Sequence, residues 1–477
     1  MTIDHTAIGP FTDEVWEHEI LPMLTEYIRI PNVSEAYHAG WAEAGHMDRA
    51  VELARAWCET REVAGLTVEV VRLPDRSPVL LLEIPPFGSA GADDTVLLYG
   101  HLDKQPPMHG WREGLGPWEP VLIDGRLYGR GGADDGYAVF ASLTAVEAVQ
   151  RAGGAHGRCV VLIECSEESG SPDLPEYIEH LAGRIGTPGL VVCLDSFCGD
   201  YERLWTTTSL RGNLILRVRV DILTEGVHSG SSGGVVPSST RILRHLLDRL
   251  EDSGTGELLV PELHVEIPDG RKAELAAVAA DLGRELTEVF PFVPGAGPMG
   301  ADPLERLTNK TWRPSLAYTG LDGIPPGAQA GNVLRPFTEM TLSIRVPPGV
   351  DAAAAGAAVE RTLTADPPYG AKVTVTVASA EDGWDAPPTA PWLAAATEAA
   401  SQQAFGKPLR SLGEGGTIPF MAMLGRRFPE AQYLLTGVLG PGSNAHGPNE
   451  FLHVEMGKRV TACVAAVLDA HARRAQG

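Results

Sequence analysis

The chain has 477 residues, 44% hydrophobic and 21% charged, enough apolar material for a sizeable core spread over two or three domains. Its 38 basic and 62 acidic residues leave a formal charge of −24, which argues against nucleic acid or an anionic membrane as a partner. None of the six cysteines has CxxC spacing, the start MTIDHTAIGPFTDEVWEHEI shows no basic-then-apolar leader pattern, and no run of 18 apolar residues occurs; the expectation is a reduced, cytoplasmic protein.

In chain order, residues 11–30 predict an amphipathic helix, with Trp16, Ile20, Leu24 and Ile28 on one face. HMDRAVELARAWCETREVAG predicts a second helix, stopped at Gly65. LTVEVVRL, PVLLLEIP and DTVLLYG predict strands. After Gly131 and Gly132, DDGYAVFASLTAVEAVQRAG predicts a helix, CVVLIEC a strand, LPEYIEHLAG a helix and GLVVCLD a strand. Near-continuous apolar strands alternating with helices imply a mostly parallel sheet flanked by helices, an α/β arrangement.

The style changes near Leu204. RGNLILRVRVDI, TEMTLSIRVPPG and AKVTVTVASA alternate polar and apolar residues, and helices are expected at STRILRHLLDRLEDSG and AAAAGAAVERTLTA. A Pro/Gly-rich stretch runs from Pro291 to Pro303. This composition predicts a compact α+β insert of antiparallel strands and two helices. The first style then returns, with a helix at PWLAAATEAASQQAF, a strand at AQYLLTGV and a last helix after Val454. The expected division is a discontinuous domain of residues 1–207 and 386–477, interrupted by an insert of residues 208–385.

Ligands of open α/β sheets bind beyond the carboxyl ends of the strands. Four successive segments deliver polar residues there: His101 and Asp103 after TVLLYG, Asp134 and Asp135 after the glycine turn, Glu167 and Glu168 after CVVLIEC, and Asp195 after GLVVCL. The loop GPGSNAHGPNE adds His446. Taken singly, each has an ordinary structural role open to it: a helix cap for an aspartate, a satisfied histidine, a solvated loop glutamate. Together they are harder to explain by packing. Crowded carboxylates do not all stay ionised without compensation, and divalent cations supply it. Two histidines and three carboxylates form a mixed N/O set that suits two divalent metal ions, zinc first, with manganese or cobalt as alternatives.

GHLD, GRGGADDG, SEESGS, the aspartate of CLDS and NAHGPNE, in this order over nearly the whole chain, resemble the M20 metallopeptidases, and within them the cytosolic dipeptidase and carnosinase-like branch. The resemblance implies a di-metal catalytic domain of the aminopeptidase/phosphorylase-like kind with an inserted ferredoxin-like lid and dimerisation domain. It implies that Asp134 bridges both metals, that His101 and Asp195 complete one site and Glu168 and His446 the other, that Asp103 orients His101, and that Glu167 is general base and acid. It further implies that His228 of EGVHSGSSGG stabilises an oxyanion, reaching into the neighbouring subunit of a homodimer. Asn332, Arg345, Gly416 and Thr417 would bind substrate, Arg345 taking its carboxylate as a two-pronged fork.

The chain departs from the family pattern at several points. Gly136 and Tyr137 follow Asp135 where many relatives have lysine; Lys104 stands where the dipeptidase branch often has an apolar residue; Ser196 and Phe197 follow Asp195 in place of Asn-Tyr; EDGWDAPPTAPW lacks a histidine often found there. The expected function is hydrolysis of the amide bond of a dipeptide, or a small peptide-like amino-acid amide, bearing a free carboxylate. The alternatives are an N-acyl or N-carbamoyl amino-acid deacylase, an amide-forming biosynthetic enzyme on the same scaffold, and a non-catalytic metal-binding protein.

Overall fold

The computed structural model describes residues 5–88, 95–416 and 418–474. They form two compact units. One comprises Met1–Thr208, Ala386–Leu412 and Met423–Gly477; the other comprises Ser209–Asp385 with Gly413–Ala422.

The first unit is built on a six-stranded sheet: β1 (Thr67–Val71), β2 (Val79–Ile84), β3 (Thr95–His101), β4 (Arg158–Glu164), β5 (Pro188–Cys193) and β6 (Gln432–Leu435). Their spatial order is β1-β2-β4-β3-β5-β6. β3 runs parallel to both β4 and β5, and β6 parallel to β5, while β1 and β2 are antiparallel additions at one side. All seven residues of β3 are buried, as a strand covered on both faces requires. The register sets His101 beside Glu164, so β3 and β4 finish at the same level in the middle of the sheet.

The helix Ala138–Arg151 is buried almost throughout and packs on β3 and on the long helix Val454–Arg473. The N-terminal helical stripe forms as expected, with Trp16, Ile20, Leu24 and Ile28 fully buried. It comes in pieces, His5–Val15 and Leu21–Ile28 separated by a widened turn. The Trp16 indole donates to Thr461 Oγ1 at 2.9 Å, tying this segment to the last helix.

The second unit holds a four-stranded antiparallel sheet, in spatial order Ser315–Asp322, Phe337–Val346, Gly212–Asp221, Lys372–Glu381. Counted within the unit this is 2-3-1-4, with helices after the first and third strands, the split βαβ pattern of ferredoxin-like folds. Gly212–Asp221 buries alternate residues, and Leu214, Leu216, Val218 and Val220 pack with Ile242, Leu246, Ala355 and Val359 of the helices Ser239–Leu247 and Ala352–Thr364. Two further helices, Asp269–Thr287 and Pro303–Thr311, pack on each other. Neither was among the expected helices, although Leu275, Val278, Leu282 and Leu286 of the first fall at helical spacing.

Candidate metal centre

The carboxyl ends of β3, β4 and β5 and two glycine-rich turns bring six side chains of the first unit together. His101, Glu167 and Asp195 form one group and Asp134, Glu168 and His446 another, the potential ligand atoms of each lying within 4.8 Å of one another. Asp134 stands between them. Its Oδ1 is 3.3 Å from His101 Nε2 and its Oδ2 is 3.1 Å from His446 Nε2. His101 Nε2 is also 3.8 Å from Asp195 Oδ2 and 4.0 Å from Glu167 Oε2. On the other side His446 Nε2 is 3.3 Å from Glu168 Oε2.

These side chains are held from behind. The Asp103 carboxylate accepts the backbone N–H groups of Glu167 (3.1 Å) and Glu168 (2.9 Å), and its Oδ1 lies 3.5 Å from His101 Nδ1. His101 Nδ1 also pairs with the Asp103 backbone carbonyl at 3.1 Å, so Asp103 fixes both the histidine and the turn carrying the two glutamates. Gln105, which the chain pattern did not single out, donates to Glu168 Oε2 at 2.6 Å. Buried Glu164 accepts hydroxyl hydrogen bonds from Tyr99, Ser166 and Ser171, bracketing the same turn.

The donor set fits cations. His101 Nε2 and Glu168 Oε1 are buried with no hydrogen-bond partner, an arrangement proteins avoid unless something else satisfies the atoms. Burial and the Asp195 charge push the Glu167 carboxyl well above the usual range; burial and Asp134 raise Glu168. Burial opposes charge on the His101 ring, yet Asp103, Asp134 and Asp195 outweigh it and hold its pKa well above the ordinary value. His446 behaves alike: burial is overcome by Asp134 and Glu168, and its pKa is raised to about 11. Without metal the cluster holds protons where cations would sit.

The remaining candidate residues belong to the second unit. His228 ends a two-residue strand paired with Val333–Leu334, and Ser229 N donates to Asn332 O, so His228 and Asn332 are neighbours. His228 Nδ1 accepts from Gly230 N (3.0 Å) and Ser231 N (3.3 Å). The ring proton therefore sits on Nε2, leaving an exposed side chain with a donor at its tip. Arg345 lies at the far end of its strand, opposite Asn213. Burial and the charge of nearby Arg345 lower the Arg211 guanidinium to about 10. Arg211 Nε donates to Gly415 O at 3.1 Å, which places Gly415 and Gly416 near this end too. Thr417 lies outside the described residues. The stretch from Phe337 to Arg345 covers eight residue steps, about 27 Å of strand, and the separate His228–Val333 pairing lies beyond its Phe337 end, so His228–Asn332 and Arg345 stand well apart within the second unit.

Residues 97–470 match the family model of peptidase family M20/M25/M40. The chain belongs to this peptidase family. It is 30% identical over 423 residues to the cysteinylglycine-S-conjugate dipeptidase of Corynebacterium striatum, covering 85% of this chain and 86% of that one. It is 31% identical over 319 residues to the human Beta-Ala-His dipeptidase, covering 63% and 60% of the two chains. Among solved structures, human carnosine dipeptidase 1 superposes with a TM-score of 0.76 at 24% identity, covering 98% of this chain and 99% of that one. The dipeptidase Dug1p of Saccharomyces cerevisiae does so with 0.75 at 23%, covering 99% of each. At these identities the two structures speak for the shared fold.

Two departures from the M20 pattern have physical reasons. A side chain at Gly136 would place its Cβ 2.2 Å from the Tyr27 ring and 2.7 Å from Gly131 O, so neither lysine nor alanine fits. Lys104 is fully buried, and its ammonium donates to Tyr27 O and Ile30 O, both at 2.8 Å, beneath the Tyr27 ring. It satisfies carbonyls at the end of the helix Leu21–Ile28, a favourable place for a cation. Tyr137 donates its hydroxyl to Leu194 O at 2.5 Å, next to Asp195. None of the described residues forms a helix long and apolar enough to cross a membrane.

Proposed function

We propose that this M20 peptidase is a di-metal dipeptidase that hydrolyses the amide bond of dipeptides or dipeptide-like substrates bearing a free carboxylate. The observation that carries the reading is Asp134, whose two oxygens each face a different histidine across two groups of ligands. His101 and Asp195 would hold one ion and Glu168 and His446 the other, with Asp134 shared. Zinc suits this set, with manganese or cobalt as alternatives. When bound, such a pair supplies the Lewis acidity that makes water a competent nucleophile near neutral pH.

Glu167 takes the proton of the attacking water and passes it to the leaving amine. Its backbone is pinned by Asp103, and its carboxylate stands 4.0 Å from His101 Nε2, close to the reacting atoms but farther from the histidine than Asp134. Arg345, with Gly416 of the segment tied to neighbouring Arg211, binds the substrate carboxylate. His228, its proton on Nε2, donates to the oxyanion. Because His228 lies beyond one end of the strand that carries Arg345 at its other end, both act on one small substrate only when they come from two chains, which supports a homodimer with the second unit as lid and dimerisation domain. The negative charge and the lack of a spanning helix among the described residues accord with a cytoplasmic setting.

The test is Glu167→Gln assayed on a dipeptide panel. We expect kcat to fall about 10²–10⁴-fold with both metal equivalents retained. Unchanged kcat, or a wild-type protein that cleaves N-acetyl amino acids and no dipeptide, overturns the reading. Net product from free acid and amine without detectable hydrolysis would point to the amide-forming alternative.

A further inference from the structure

Four of the five proposed ligands are buried and backed by the sheet, but the His446 side chain is 59% exposed and sits on a loop. Three non-glycine residues of that loop, Asn444, His446 and Asn449, have φ of 54°, 64° and 62°. Left-handed geometry is unfavourable for a non-glycine residue and persists where its surroundings impose it. Within the loop Gly447 N donates to Asn444 O at 3.0 Å and Asn444 Nδ2 to Pro448 O at 2.5 Å, and further contacts grip it from outside.

Arg130 and Glu450 are placed to do this. Arg130 is four residues before Asp134, and Glu450 is four residues after His446. Both side chains are buried, at 1% and 0% exposure, and Arg130 Nη1 donates to Glu450 Oε2 at 2.6 Å. Gly131 N donates to Glu450 Oε1 at 2.9 Å, and Gly129 N donates to Glu450 O at 3.0 Å. In return Arg130 Nη2 donates to Gly447 O at 2.8 Å, the carbonyl next to His446. Glu450 thus grips three consecutive residues of the glycine turn, while Arg130 grips the histidine loop. Gly129 and Gly131 have φ of 144° and 83°, a backbone open to glycine because it has no Cβ. Neither charged side chain is among the potential ligands.

We propose that the Arg130–Glu450 clasp is a positioning device for one metal position. It sets the spacing of Asp134 and His446, and so the affinity of the Asp134–Glu168–His446 position, while leaving the His101–Asp195 side to be set by β3 and β5. The proposal rests on the di-metal reading above.

The experiment is equilibrium titration with zinc, read as binding stoichiometry and Kd by dialysis and elemental analysis. Removing one partner strands a buried charge and threatens the fold, so the first variant is the double substitution Arg130→Met with Glu450→Gln, which removes both charges at similar volume. The second, Arg130→Lys, keeps the charge but loses the planar fork that reaches Glu450 and Gly447 together. Each is placed in Asp195→Ala and in His446→Ala backgrounds, which leave only the second or only the first position intact. In the Asp195→Ala background the clasp variants should weaken the remaining equivalent about 10–100-fold. In the His446→Ala background they should leave Kd within about twofold, since the loop then carries no ligand to be placed. Equal weakening in both backgrounds would mark a general structural role and overturn the proposal, as would no weakening in either. A wild-type chain that binds two equivalents while the clasp variants do nothing sinks only this inference; fewer than two equivalents in the wild type sinks the di-metal reading with it.

Discussion

Asp103 shows how much one buried side chain can govern. Its oxygens take the two N–H groups of the Glu167–Glu168 turn and stand against His101, so a single residue aligns the proposed base and ligands on both sides of the cluster. The protonation of the metal-free site follows from the same crowding. His101 and His446 hold their protons at pH 7, against burial, because Asp134 and its neighbours surround them. Both rings must be neutral to ligate, so metal binding releases protons, and affinity should rise with pH below the raised pKa values. Calorimetric zinc titrations in two buffers of different ionisation enthalpy should give different apparent enthalpies, corresponding to more than about one proton released per chain. Identical enthalpies would contradict the assignment of the two histidines. His101, Asp134, Glu167, Glu168, Asp195 and His446 were legible in the sequence because each follows a strand or a glycine turn. Arg130, Gln105, Glu164 and Glu450 stand in or beside the same motifs, yet their roles were not legible. Their partners lie up to 320 residues away, and no spacing rule reveals a hydrogen bond of that range.

At the level of elements, the parallel strands β3, β4 and β5 could be read from their unbroken apolar runs, and the sheet order they adopt puts their carboxyl ends side by side. The insert was harder to read. Its alternating strands were visible, but Ser315–Asp322, with a bulge between Tyr318 and Gly320 and mostly exposed residues, was not. The pairing that sets His228 beside Val333, beyond the far end of the strand carrying Arg345, is a tertiary property with no local signature. Arg211 has a distinct role in this unit. Its guanidinium links Gly415 O to Ser315 Oγ and to the carbonyls of Asn309 and Arg313 at the end of the helix Pro303–Thr311. Arg211→Met would free the Gly415–Gly416 segment and leave carbonyls unpaired. The account expects KM for dipeptides to rise about tenfold with kcat little changed, as for a loss of ground-state binding. An unchanged KM in a folded variant would separate Gly416 from substrate binding.

For the whole molecule, the placement of His228 and Arg345 makes a prediction that depends on neither residue's chemistry. If His228 serves the partner's site, His228→Ala and Glu167→Ala chains, each inactive alone, should complement when unfolded together and refolded. A mixed dimer then has one site with its own Glu167 and the partner's His228. With random pairing, half the dimers are mixed and one of their two sites works, so activity should recover to about a quarter of wild type. No recovery would mean that His228 acts within its own chain or not at all. The six cysteines, all buried and free, take no part in this chemistry and behave as small apolar side chains.

Asp134 is proposed to join two cations. Anomalous diffraction from crystals of the zinc-loaded protein tests it most directly. Two peaks per chain are expected, roughly 3.5–4 Å apart, with Asp134 between them, His101 and Asp195 on one, and Glu168 and His446 on the other. A single peak, or two peaks with Asp134 touching only one, would contradict it.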